Sequence, residues 1–93
     1  MQNKVKENPM NENLDKSQSR EEHFIVLHND EVNTFDYVIE TLVKVCEHNS
    51  VQAEQCAHIV HFKGKCEVKK GTYEYLKPKK DELINKGLNA TIE

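Results

Sequence analysis

Ninety-three residues bound this chain to one domain, with a core near the lower limit for independent stability. The formal charge of −3, with 13 Lys and Arg scattered among 16 Asp and Glu, gives no basic stripe of the kind a phosphate backbone needs, which excludes nucleic acid as the expected partner. The longest apolar runs are about four residues against the roughly 18 to 20 that cross a bilayer, and no signal-peptide core opens the chain, so a cytoplasmic location without a membrane partner is expected.

Residues 1–23 hold Asn, Lys, Glu, Ser and Gln with few apolar side chains, too few to offset the entropy of ordering them. They are expected to be a disordered arm, leaving 24–93 as the domain. Phe24 to Leu27 is a strand-like apolar run, bounded by the turn formers His28, Asn29 and Asp30. Beyond Asn33, Phe35, Val38, Ile39, Leu42, Val45 and Cys46 recur at three- and four-residue steps, which predicts a helix with one apolar face. Asn49 and Ser50 read as a stop followed by a Ser N-cap. Ala53, Cys56, Ala57 and Val60 then keep helical spacing as far as Lys63 and Gly64, where Gly accepts the left-handed conformation that ends a helix. Cys66 to Lys69 alternates as a short strand closed by Gly71. Tyr73, Leu76, Leu83 and Ile84 also suit a helix, but proline breaks helix interiors, so the expected helix runs from about Pro78 to Lys86 with Gly87 after it. Leu88, Ala90 and Ile92 alternate with polar residues as a last strand. The order is βααβαβ. Three strands too short to stand alone predict an α+β two-layer sandwich, a three-stranded antiparallel sheet with three helices on one face.

The side chains that could do chemistry form no catalytic set. Cys56, His58 and His61 share the second helix, but Cys56 and His61 lie about 140° apart round its axis, so only the two histidines converge. Zinc takes three or four protein ligands, and no metal or other cofactor is expected. No glycine-rich elbow positions a Cys-His pair, the adjacent acids Asp30 and Glu31 point apart, and the three glycines lie too far apart for a phosphate loop. A non-enzyme is expected. Cys46, Cys56 and Cys66 include no close CxxC pair and behave as reduced thiols, two of them on apolar helix faces. What remains is an acidic turn on an apolar base, which suits a ligand with a positive charge beside a greasy group, such as an α-amino group bearing a large side chain.

The stretch from Leu27 to Leu42, with its Asn29-Asp30-Glu31 turn and Val38-Ile39-Glu40-Thr41-Leu42 helix, followed by Val60-His61-Phe62-Lys63-Gly64-Lys65, resembles the signature of the ClpS N-degron adaptors. The resemblance covers about Phe24 to Glu93. It implies the βααβαβ fold and the binding of proteins that begin with Phe, Tyr, Trp or Leu, delivered to a ClpA- or ClpC-type AAA+ unfoldase with its ClpP peptidase by an adaptor that is a monomer when free. By that resemblance Asn29, Asp30 and His61 match positions that grip the substrate amine, with Glu31 where a second Asp is usual. Asn33, Phe35, Val38, Ala57, Val60 and Leu88 match the hydrophobic pocket, and Glu74 and Lys79 lie near the unfoldase contact. The arm would be the segment engaged by the unfoldase pore. Phe35 stands where Met is common and Ala57 where a bulkier residue is usual, which leaves the first-residue preference open. A structural interaction domain without a pocket, laid out like the C-terminal domain of the bacterial ribosomal stalk, is the alternative. It does not need Asn29, Asp30 and His61 to converge.

Overall fold

The computed structural model describes residues 21–93, so the expected arm lies outside the described residues except at its end. The first strand begins one residue earlier than expected, because His23 already belongs to it and pairs with Gly71. The elements are β1 (His23–His28), α1 (Phe35–Cys46), α2 (Ser50–Lys63), β2 (Lys65–Gly71), α3 (Tyr73–Asn85) and β3 (Asn89–Ile92). They form the expected α+β arrangement, with one antiparallel sheet in the order β2-β1-β3. As the central strand, β1 has a neighbour on each edge, and Ile25, Val26 and Leu27 are all buried. Its ladder with β2 shifts register between Ile25 and Val26 and then runs to the pair His28 and Lys65. Ile25, Leu27, Leu42, Cys46, Leu76 and Leu83 are the fully buried centre of the core.

Caps fix where the helices begin. Thr34 is extended at φ −73°, and its side chain accepts the Tyr37 N–H at 3.1 Å to start α1. Before α2 the cap is Asn49 rather than Ser50: the Asn49 Oδ1 accepts the Gln52 N–H at 2.8 Å, and Ser50 is already helical. The amide oxygen reaches that N–H one residue earlier than the hydroxyl was expected to. Gly64 ends α2 at φ 96°, as its position predicts.

The third helix departs from the sequence expectation, since α3 starts at Tyr73 and carries Pro78 inside it. Thr72 caps it, accepting the Tyr75 N–H at 3.2 Å. An interior proline costs about 3 kcal/mol. Opposing it, Leu76 and Leu83 are both fully buried from the same helix, and each contributes about 1.5 to 3 kcal/mol. Burial on both sides of the proline therefore outweighs the break. Glu74, whose carbonyl would have received the missing N–H, is exposed to water.

His48 ties the α1–α2 connection to the sheet. It is 5 % exposed, and its Nε2–H donates to the Val68 carbonyl at 2.6 Å, which leaves Nδ1 without a partner. The cysteines are free thiols; burial pushes Cys46 up to about 11 and Cys66 up to about 12, so both stay protonated at neutral pH.

Candidate functional site

Two local features and one pairing build the site. The turn after β1 is closed by Asp30, whose Oδ1 accepts the N–H groups of Val32 at 2.9 Å and Asn33 at 3.0 Å. Such a carboxylate-closed turn is the usual work of Asp after a strand. Burial raises the Asp30 carboxyl, but the hydrogen bonds from Asn33 and Val32 outweigh it and hold the group below the ordinary carboxylate value. The pairing is the Asn29 N–H, which donates to the Gly64 carbonyl at 2.9 Å and continues the β1–β2 ladder past His28 and Lys65. The acidic turn is thereby fixed against the end of α2. His61 belongs to that last turn.

A cavity of about 360 Å³ opens between them. Asn29, Asp30, Glu31 and His61 line its polar part, while Phe35, Val38, Ala57, Val60 and Leu88 line the apolar part with Asn33 beside them. Every residue assigned from the sequence to the amine site or the pocket therefore borders one space. Leu27 and His28 border it too, and sequence reasoning missed them. Their position at the end of the strand, directly before the turn, was the available signal. His28 is held in place by a 2.8 Å contact between its Nε2 and the Thr91 Oγ1 on β3.

The remaining wall depends on the far end of the chain. Leu88 follows Gly87, which takes φ 91°, and the Gly87 carbonyl accepts the Asn33 Nδ2–H at 2.8 Å. Next to it the Tyr37 hydroxyl donates to the Lys86 carbonyl at 2.6 Å. Asn33 also donates to both Asp30 oxygens, at 3.2 Å and 3.0 Å, so it braces the site more than it lines an apolar surface. Among the described residues no Lys or Arg lies within ion-pair distance of Asp30 or Glu31. The acidic part of the cavity thus has acceptors in excess of donors.

Glu74 and Lys79 lie elsewhere, along a shallow depression between α1 and α3 lined also by Lys44, Glu47, Tyr75 and Glu82. Lys79 is braced there, with its Nζ 3.9 Å from the Glu47 carboxylate and 5.2 Å from the centre of the Tyr75 ring. Cys56 is buried and His58 exposed, so these two do not converge on a ligand.

A family model described as ATP-dependent Clp protease adaptor protein ClpS matches residues 18–91. The chain belongs to the ClpS family. ClpS proteins are adaptors of a Clp protease, the class that the resemblance of the Asn29-Asp30-Glu31 turn and the Val60-His61 element implied. Among solved structures, the chain is similar to that of Agrobacterium tumefaciens ClpS2 bound to L-phenylalaninamide, at a TM-score of 0.74 and 19 % identity over 77 % of this chain and 94 % of that one. At that identity the likeness speaks for the ClpS fold alone. No curated protein matches the chain in sequence. No described helix is long and apolar enough to cross a membrane.

Proposed function

We propose that this ClpS-family adaptor binds proteins through the free α-amino group and bulky hydrophobic side chain of their first residue. It then delivers them to a ClpA- or ClpC-type AAA+ unfoldase and ClpP for degradation. One observation carries the reading: the acceptors Asn29, Asp30 and His61 border the same cavity as Val38, Ala57, Val60 and Leu88. An interaction domain of the same layout without a pocket requires no such convergence.

The chemistry fits a terminal amine. Its reference pKa is about 8, so at neutral pH it is largely an ammonium with three donors. Asp30 Oδ1 is occupied by three contacts within the turn, whereas Oδ2 receives only the Asn33 amide and keeps a lone pair for a ligand. The Asn29 amide oxygen and a neutral His61 nitrogen supply the other acceptors. Each charge-assisted bond contributes about 1.5 to 3 kcal/mol, and burying an aromatic side chain about as much. Association and ordering then reduce the net to about −8 kcal/mol, a micromolar Kd. The cavity has room for a ring, since an apolar space of about 150 Å³ already holds benzene. Phenylalaninamide, the ligand of the Agrobacterium protein, is a free amine beside such a ring. The Glu74 and Lys79 depression is the surface offered to the unfoldase, and the residues before the domain are the segment offered to its pore.

Fluorescence polarisation with a Phe-initiated peptide tests the reading. Binding should be micromolar, should vanish when the amine is acetylated, and should weaken roughly ten- to hundred-fold in His61→Ala, which removes one charge-assisted acceptor. Equal binding of the free and acetylated peptides would overturn it.

A further inference from the structure

Four rings, Phe35 on α1 and His58, His61 and Phe62 on α2, form a row whose two ends line the cavity. Phe35, which lines the cavity, meets His58 edge-on with centroids 4.7 Å apart. His58 lies parallel to Phe62, at 6.0 Å and an interplanar angle of 7°. Phe62 in turn meets His61, another cavity residue, edge-on at 4.8 Å. Burial does not explain the row. Phe62 is 75 % exposed, and the His58 side chain is 53 % exposed. A single exposed Phe is ordinary, but an exposed π surface joined to a binding cavity is a continuation of that cavity.

We propose that Phe35, His58 and Phe62 form a second subsite that takes a flat side chain from the third residue of a bound N-terminal peptide. The proposal rests on the amine-capture reading, because the cavity must hold the first residue for the third to reach the rings. In an extended peptide successive side chains point to opposite faces and each residue advances about 3.3 Å, so the third side chain returns to the surface roughly 6.6 Å beyond the first. From Phe35 at the cavity, the ring steps of 4.7 and 6.0 Å cover that reach. The second side chain points to solvent. Offset-stacked and edge-to-face packing favours an aromatic at the third position. An acidic residue there is disfavoured, because the Glu54 carboxylate lies 4.0 Å from His58.

The test moves one Trp through positions two, three and four of a Phe-initiated, otherwise Ala-rich peptide labelled at its C-terminus, with Kd read by fluorescence polarisation on the full chain. Trp at position three should bind roughly three- to ten-fold more tightly than Ala there. Phe62→Ala should remove that gain, and His58→Ala, which takes out the middle ring, should do the same. Equal affinity for all peptides, a maximum at position two or four, or a gain that survives both substitutions overturns the subsite. The all-Ala parent and its acetylated form judge the cavity separately. If those two bind alike, the amine-capture reading fails and the subsite with it; if only the free form binds, the Trp scan decides the subsite alone.

Discussion

Replacing Asn33 by Ala should loosen the turn and the Leu88 wall together, because one side chain holds both. Its Nδ2 donates to the two Asp30 oxygens at 3.2 and 3.0 Å and to the Gly87 carbonyl at 2.8 Å, and Asn33→Ala removes all three contacts. The backbone N–H of residue 33 remains on Asp30. A hydrogen bond to a charged group contributes about 1.5 to 3 kcal/mol and a neutral one about 0.5 to 1.5 kcal/mol. Asp30 is half-buried and Gly87 exposed, so water replaces part of what is lost, and the expected net is about 1 to 2 kcal/mol. In a domain of this size that lowers Tm by roughly 5 to 15 °C. The effect carries a pH signature. The folded Asp30 carboxyl is held below its unfolded value, so its contribution is present above the unfolded pKa of about 3.9 and is lost as pH falls through the folded one. The gap between wild type and Asn33→Ala should therefore be constant above about pH 5 and shrink below about pH 4. Urea unfolding followed by circular dichroism at pH 7 and pH 3 measures both. A loss below about 0.3 kcal/mol at pH 7, or a gap that widens in acid, would refute the reasoning.

Substitutions at three further positions probe the same framework. Tyr37→Phe removes the 2.6 Å bond to the Lys86 carbonyl and should lower the unfolding free energy by about 0.5 to 1.5 kcal/mol in urea titration. Gly87→Ala places a Cβ at an ordinary 3.8 Å from the Asn33 Oδ1, so its loss of about 1 to 2 kcal/mol should come from the left-handed backbone, and Gly87→Asn should recover part of it. His48→Ala leaves a void and strands the Val68 carbonyl, and thermal unfolding should show a loss of about 2 to 4 kcal/mol with peptide binding retained.

Most of the elements were legible because their causes are local. The apolar run before Asn29, the three- and four-residue spacing after Phe35, and Gly64 after Lys63 each state a strand, a helix face and a helix end within a few residues. Two of the misses, at Pro78 and His23, were also local readings, overturned by contacts from a distance. Pro78 stays helical because Leu76 and Leu83 are buried together, and His23 joins β1 because Gly71 pairs with it. Residue types at the site were equally legible, since Asp30 closes a turn wherever a strand ends that way.

What the amino-acid order determined by itself, then, is an acceptor-rich turn, three helices and three strands. That His61 stands beside that turn was decided by the tertiary structure, through the register of His28 on Lys65 and the Asn29 bond to Gly64. That Leu88 closes the cavity was decided by the hold of Asn33 and Tyr37 on residues 86 and 87. Hydrogen bonds and burial between remote segments carry no periodicity along the chain. The pieces of the site are therefore written in the sequence, and their meeting in one cavity is not.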